Sequence, residues 1–153
     1  MLVDVTPGVD GPKARSIVQF IDGPESFPSF EDLLARTIEF NPTRTESSLR
    51  RGILHNAEQQ PDGSWVWRYR RFREEGEVGG HPDFGDLWDA LSAVSVPLML
   101  VRGTREQSVV DDADEAELRR RQPGARVEHV DAGHSVQGDA PVELARLLDE
   151  FLG

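Results

Sequence analysis

The sequence predicts an α/β fold: a short parallel sheet of three strands (about 2–5, 97–101 and 126–130) with flanking helices and a mainly helical insertion after the first strand. Three observations predict it. Val96-Pro97-Leu98-Met99-Leu100-Val101 is a continuous apolar run of strand length, the pattern of a strand buried on both faces. The segment Val127 to Gly138, VEHVDAGHSVQG, is an apolar-leaning strand that runs into a glycine and a histidine, with helical periodicity behind it. Leu2-Val3-Asp4-Val5 is a strand signal stopped at once by Thr6-Pro7-Gly8, and the pattern that follows is helical.

Bulk properties narrow the function classes. The 153 residues suffice for one ordinary domain with a core. A formal charge of −11 repels nucleic acid and anionic membranes, so neither is expected as a partner. Arginine is common and lysine nearly absent; the clusters Arg68–Arg73 and Arg119–Arg121 read as solvated faces. With no cysteine there is no disulfide, thiolate chemistry or Cys-ligated metal site. No apolar run approaches the ~20 residues of a membrane span, and the first residues lack a secretory pattern. The expectation is a soluble, cytoplasmic protein. A strand so close to Met1 has little lead-in, which suggests further sequence upstream.

Taken in order, the insertion spans 13–81, leaving 1–12 and 82–153 as the core. Ala14, Ile17, Val18 and Ile21 share a helical face that ends at Asp22-Gly23-Pro24. Ser29 reads as an N-cap with Asp32 three residues on, ahead of Phe30, Leu33, Leu34 and Ile38. Thr43 with Glu46 reads as a capping box before Leu49, Ile53, Leu54 and Ala57. Three helices in a row, without strands between them, are therefore expected. After the turn at Asp62-Gly63, Trp65, Trp67 and Tyr69 alternate with Val66, Arg68 and Arg70, a short strand whose aromatic face packs on the helices or walls a substrate pocket. His81, Asp83 and Asp86 fit no metal-ligand spacing, and Asp83 serves better as the cap of a helix carrying Phe84, Leu87, Trp88 and Leu91.

Beyond the apolar strand, Arg102-Gly103-Thr104 opens a polar loop. The next helix has Asp111, Asp112, Asp114 and Glu115 at its start and Arg119 to Arg121 at its end, which complements the helix dipole and requires no binding role. The last helix is expected from Asp139 as its cap, with Pro141 in its first turn and Leu144, Leu147, Leu148 and Phe151 inside. His134 stands where open α/β sheets place working groups, on a loop at the carboxyl end of a strand.

These residues resemble the carboxyl-terminal half of an α/β-hydrolase-fold enzyme. Val96 to Gly103 resembles the penultimate core strand, Ala132-Gly133-His134-Ser135 with Asp139-Ala140-Pro141 the loop of the catalytic histidine, and Leu2 to Gly8 the strand before the lid. The resemblance implies that His134 is a general base that takes a proton from a nucleophilic serine, oriented by an acid. The loop after the penultimate strand has no aspartate, so Asp4, after the preceding strand, is the first candidate for the acid, with Glu106 and Asp111 as alternatives. Asp131 lies too near His134 along the chain to reach its ring easily. The lid, with Trp65 and Trp67, would bind a small-molecule substrate; no metal and no cofactor are expected. No Gly-x-Ser-x-Gly elbow occurs in the chain, and its ten serines lie outside a strand–turn–helix context. The expected function is thus the carboxyl-terminal portion of a serine-type hydrolase of an ester or related carbonyl compound, inactive alone. A non-catalytic binding module derived from the same fold is the alternative. The first strand would present an open edge that invites self-association.

Overall fold

The computed structural model describes residues 1–9, 11–68 and 86–153. In chain order its elements are β1 (Leu2–Val3), α1 (Gly11–Ile21), β2 (Ser26–Phe27), α2 (Phe30–Phe40), α3 (Glu46–Asn56), β3 (Ala57–Gln59), β4 (Trp65–Trp67), α4 (Leu87–Ser92), β5 (Met99–Gly103), α5 (Asp112–Arg121), β6 (Arg126–Val130), α6 (Val136–Asp139) and α7 (Pro141–Leu152). The chain divides into two compact units, one of Met1–Ala14 with His81–Gly153 and one of Arg15–Gly80.

The first unit is built on a parallel sheet in the order β1-β5-β6. Leu2 and Val3 pair with Leu100 and Val101, and β6 pairs with β5 from Met99↔Arg126 to Gly103↔Val130. The central strand therefore has a neighbour on each side, and Met99, Leu100 and Val101 are fully buried. Its pairing starts two residues later than the apolar run suggests, where Pro97 has no N–H to give a ladder, and continues to Gly103. One face of the sheet, through Met99, Val101 and Val130, packs on Ala132, Val136, Leu144 and Leu147. Burying each such aliphatic side chain contributes ~1.5–3 kcal/mol. Among the described residues β1 pairs only with β5.

Helix ends in this unit follow from side-chain chemistry. Asp111 caps α5 by accepting from Asp114 N while Asp114 reciprocates to Asp111 N. At the other end Arg119 pairs with Glu115, Arg120 with Glu117, and Arg121 with Glu117 and Asp89, so the arginine run is spent on surface ion pairs. Trp88 of α4 is buried, whereas Leu87, expected on the same inner face, is half-exposed; Asp83 and Phe84 lie outside the described residues. The carboxyl-terminal helical region is two helices, not one. Ala140 breaks it at φ −135° and ψ 57°, because the ring of Pro141 disfavours a helical residue before it. Asp139 consequently ends α6 and caps nothing; no side chain caps α7. Leu144 and Leu147 are buried as expected, but Leu148 lies toward solvent.

The second unit corrects the expectation of three successive helices without strands between them. A three-stranded antiparallel sheet, β2-β4-β3, accompanies its helices. β2 lies between α1 and α2, and Ala57 opens β3 instead of continuing the α3 stripe; its N–H closes α3 on the Ile53 carbonyl. Ser29 does cap α2, accepting from Asp32 N. For α3 the cap is Thr45, not Thr43, because the turn closed by Arg44 N on the Asn41 carbonyl delays the helix. Phe27, Leu33, Leu34, Leu49, Ile53 and Ala57 form the core, while Ile21, Ile38 and Leu54, expected on the inner stripes, are exposed. Thr37 is buried in place of Ile38, its hydroxyl donating to the Leu33 carbonyl.

Candidate active site

Asp4 is set by the end of β1. Its N–H completes the parallel ladder on the Val101 carbonyl at 2.7 Å, and its backbone then turns into the left-handed region at φ 45°. Aspartate is among the few residues that tolerate this conformation. The turn puts the carboxyl group inside, with no exposed surface, where it meets four donors. Oδ1 accepts from Gly103 N at 2.9 Å and Ser108 Oγ at 2.6 Å; Oδ2 accepts from Val109 N at 3.1 Å and lies 3.2 Å from His134 Nδ1. Burial pushes the carboxyl pKa up, but the bonds from His134, Ser108, Gly103 and Val109 outweigh it and hold it below the usual carboxylate range.

His134 reaches this carboxylate through the loop that follows β6. Thr104 N and Arg105 N donate to the carbonyls of Val130 and Ala132, and His134 N donates to the Gln107 carbonyl, so the loops after β5 and β6 are laced together. Asp139 contributes from α6: its carboxylate accepts from Gly133 N at 2.8 Å and fixes the residue before the histidine. A carboxylate can only accept, so the hydrogen of the neutral imidazole sits on Nδ1 and the lone pair on Nε2. No described group is bonded to Nε2, and the side chain is 39% exposed. The arrangement is a base with its outer nitrogen open and its inner nitrogen oriented.

Gly103 is where the two loops come closest. A Cβ built there would stand 2.5 Å from the Ala132 carbonyl oxygen and 2.7 Å from that of Gly133, both backbone atoms. Gly103→Ala is expected to destabilise the fold by about 2–3 kcal/mol, toward the upper range for forced overpacking, because no flexible side chain can yield. Urea unfolding at neutral pH measures it; a loss below about 0.5 kcal/mol would show that the loops part without strain.

Of the other candidate acids, Glu106 is exposed and Asp111 is occupied at the α5 cap, where Lys13 pairs with it at 2.9 Å. Asp131 pairs with Arg105 instead of His134. Trp65 and Trp67 are half-buried in the second unit: Trp65 meets Phe30 edge-on at 5.1 Å, and Trp67 meets Phe20 at 5.7 Å and Phe27 at 6.3 Å. His81 and Asp83 lie outside the described residues, and among the described residues no group of three potential metal ligands converges. Sequence reading missed Ser108, Val109 and Gly103 as the holders of the acid. Their one signal was the loop after β5, which offers a hydroxyl and amides where an aspartate was sought.

No family model matches the chain. It is 41% identical over 97% of its length to the esterase Rv0045c of Mycobacterium tuberculosis, and it spans 50% of that protein. A crystal structure of that esterase superposes with a TM-score of 0.73 at 40% identity, covering 99% of this chain and 50% of the other. The fold is also that of E-2-(acetamidomethylene)succinate hydrolase, with a TM-score of 0.75 at 18% identity over 98% of this chain and 55% of that one. The β1-β5-β6 sheet and its covering helices thus have counterparts in an esterase with which nearly the whole sequence aligns: over the half of that protein it matches, the chain has the α/β-hydrolase fold.

Proposed function

We propose that this chain is the acid-and-base portion, the carboxyl-terminal one, of a serine-type α/β-hydrolase that cleaves an ester or related carbonyl substrate. The observation that carries the reading is the Asp4–His134 pair, with the acid buried and four-fold bonded and Nε2 open. His134 Nε2 takes the proton of a serine hydroxyl as that oxygen bonds to the substrate carbonyl carbon. Asp4 stabilises the resulting imidazolium, which returns the proton to the leaving alkoxide as the C–O bond breaks. A water, deprotonated in the same way, then releases the acyl group. Trp65 and Trp67 enter the proposal as substrate-binding residues, since each half-buried ring keeps surface beyond its aromatic contacts.

The attacking serine is not supplied by this chain, which has no Gly-x-Ser-x-Gly run, and Ser108 Oγ is committed to Asp4. The chain alone is therefore expected to leave p-nitrophenyl butyrate untouched. A spliced protein, in which it replaces the half of the esterase Rv0045c that it matches, is expected to hydrolyse that ester at least about 10³-fold faster. A folded spliced protein without turnover would sink the catalytic reading in favour of a binding module. The outer edge of β1, which has no partner strand among the described residues, is part of the proposal as a route to self-association of the chain alone, readable as a concentration-dependent shift in size-exclusion elution.

A further inference from the structure

Most described arginines of this acidic chain have an acidic partner: Arg50 holds Glu31 and Glu46, Arg102 holds Asp112 and Glu115, and Arg146 holds Glu143 and Glu150. Arg44 is an exception inside a structured region. Among the described residues no carboxylate pairs with its half-buried guanidinium, whose Nη2 donates to Ser48 Oγ at 2.9 Å. Its Nε is buried and has no acceptor. A buried N–H without an acceptor is uncommon and asks for a partner.

Arg44 lines a hollow of about 230 Å³ in the second unit. Phe20, Ile53 and Trp67 give it apolar walls. Its other polar side chains already serve the helices and carry no charge: Thr37 donates to the Leu33 carbonyl, Asn41 to that of Thr37 and Asn56 to that of Gly52. Gly52 supplies an independent clue. It lies in the interior of α3, where glycine is the poorest helix former after proline, yet a Cβ built on it meets nothing within 4 Å. No steric demand accounts for the glycine, and its missing side chain keeps the hollow open.

We propose that this hollow binds a small monocarboxylate with an apolar, aromatic-sized body, the carboxylate taken by Arg44 and the body lying against Phe20, Ile53 and Trp67. A planar guanidinium matches a carboxylate fork to fork. Among the described residues no second cation lines the hollow, so a dianionic phosphate would be under-neutralised by Arg44 alone. The site does not depend on the Asp4–His134 pair or on hydrolysis.

Benzoate titrated into the full ¹⁵N-labelled chain tests it, with benzamide as the uncharged counterpart and inorganic phosphate as the body-less anion. Saturable millimolar binding is expected, seen as shifts of the Arg44 Nε–H and Trp67 indole N–H resonances. Arg44→Gln is expected to weaken benzoate at least about tenfold, about 1.4 kcal/mol. Gly52→Leu fills the space with a better helix former, so it is expected to abolish binding without lowering Tm, and it decides the matter should the arginine variant fail to fold. Equal binding of benzamide, equal shifts with phosphate alone, unchanged affinity in either variant, or no saturable shift would each overturn the proposal.

Discussion

Replacing His134 with alanine in the spliced esterase is expected to lower kcat by about 10⁴-fold or more while KM stays within a few-fold, as removal of the base does in serine hydrolases. The expectation rests on what the imidazole does and what else could do it. Nε2 is the open basic nitrogen of the ring beside Asp4, and the other described histidine of this unit is committed elsewhere: His129 Nε2 bonds Glu115 at 2.8 Å. Water in place of the ring would be a far weaker base and would not be held in line. Stability should change little, because the ring is 39% exposed and its loss leaves Asp4 with Gly103 N, Ser108 Oγ and Val109 N. A Tm within a few degrees of the parent therefore separates lost chemistry from lost fold. A kcat loss smaller than about tenfold would show that another group takes the proton.

How much of this site was legible in the sequence follows from the range over which each residue acts. His134 could be read because its context is local: a strand, a glycine and a helix lie within a dozen residues. The parallel sheet was legible because buried strands leave continuous apolar runs, as Met99 to Val101 do. The choice among Asp4, Glu106 and Asp111 was open because each had a plausible loop position. In the fold it is Asp4 that lies beside His134, brought there by its left-handed turn and held by donors about a hundred residues away, neither of which leaves a local pattern. Asp139 looked like a helix cap because cap residues and loop braces share a composition; only the bond from Gly133 N distinguishes them. β2 and β3, of two and three residues, are too short for alternation to show, and they exist because Trp65–Trp67 lies between them to pair with both.

Asp4→Asn is expected to cost about 3 kcal/mol of stability at neutral pH and, in the spliced enzyme, about 10⁴-fold in kcat. Asparagine has the same shape and tolerates φ 45°, so neither packing nor backbone is disturbed. The loss comes from donors. A carboxylate accepts on both oxygens, but an amide accepts on one and donates on the other. With its oxygen toward Gly103 N, the amide nitrogen faces Val109 N; flipped, it faces Gly103 N. Either way one buried backbone N–H loses its acceptor, and bonds to a charged group are replaced by weaker ones. In the first orientation the amide also donates to His134 Nδ1, which moves the ring hydrogen to Nε2 and removes the lone pair that must take the serine proton. The pH dependence follows from the lowered pKa of Asp4. Its contribution is complete above the ordinary carboxyl value of 3.8 and is lost as pH falls through the lower folded value, when the carboxyl protonates. Asparagine has no such titration. Urea unfolding of parent and variant is therefore expected to give a stability gap that is present above about pH 5 and narrows below about pH 4. A gap that stayed constant into strong acid would mean that the ionised carboxylate is not what the four donors require.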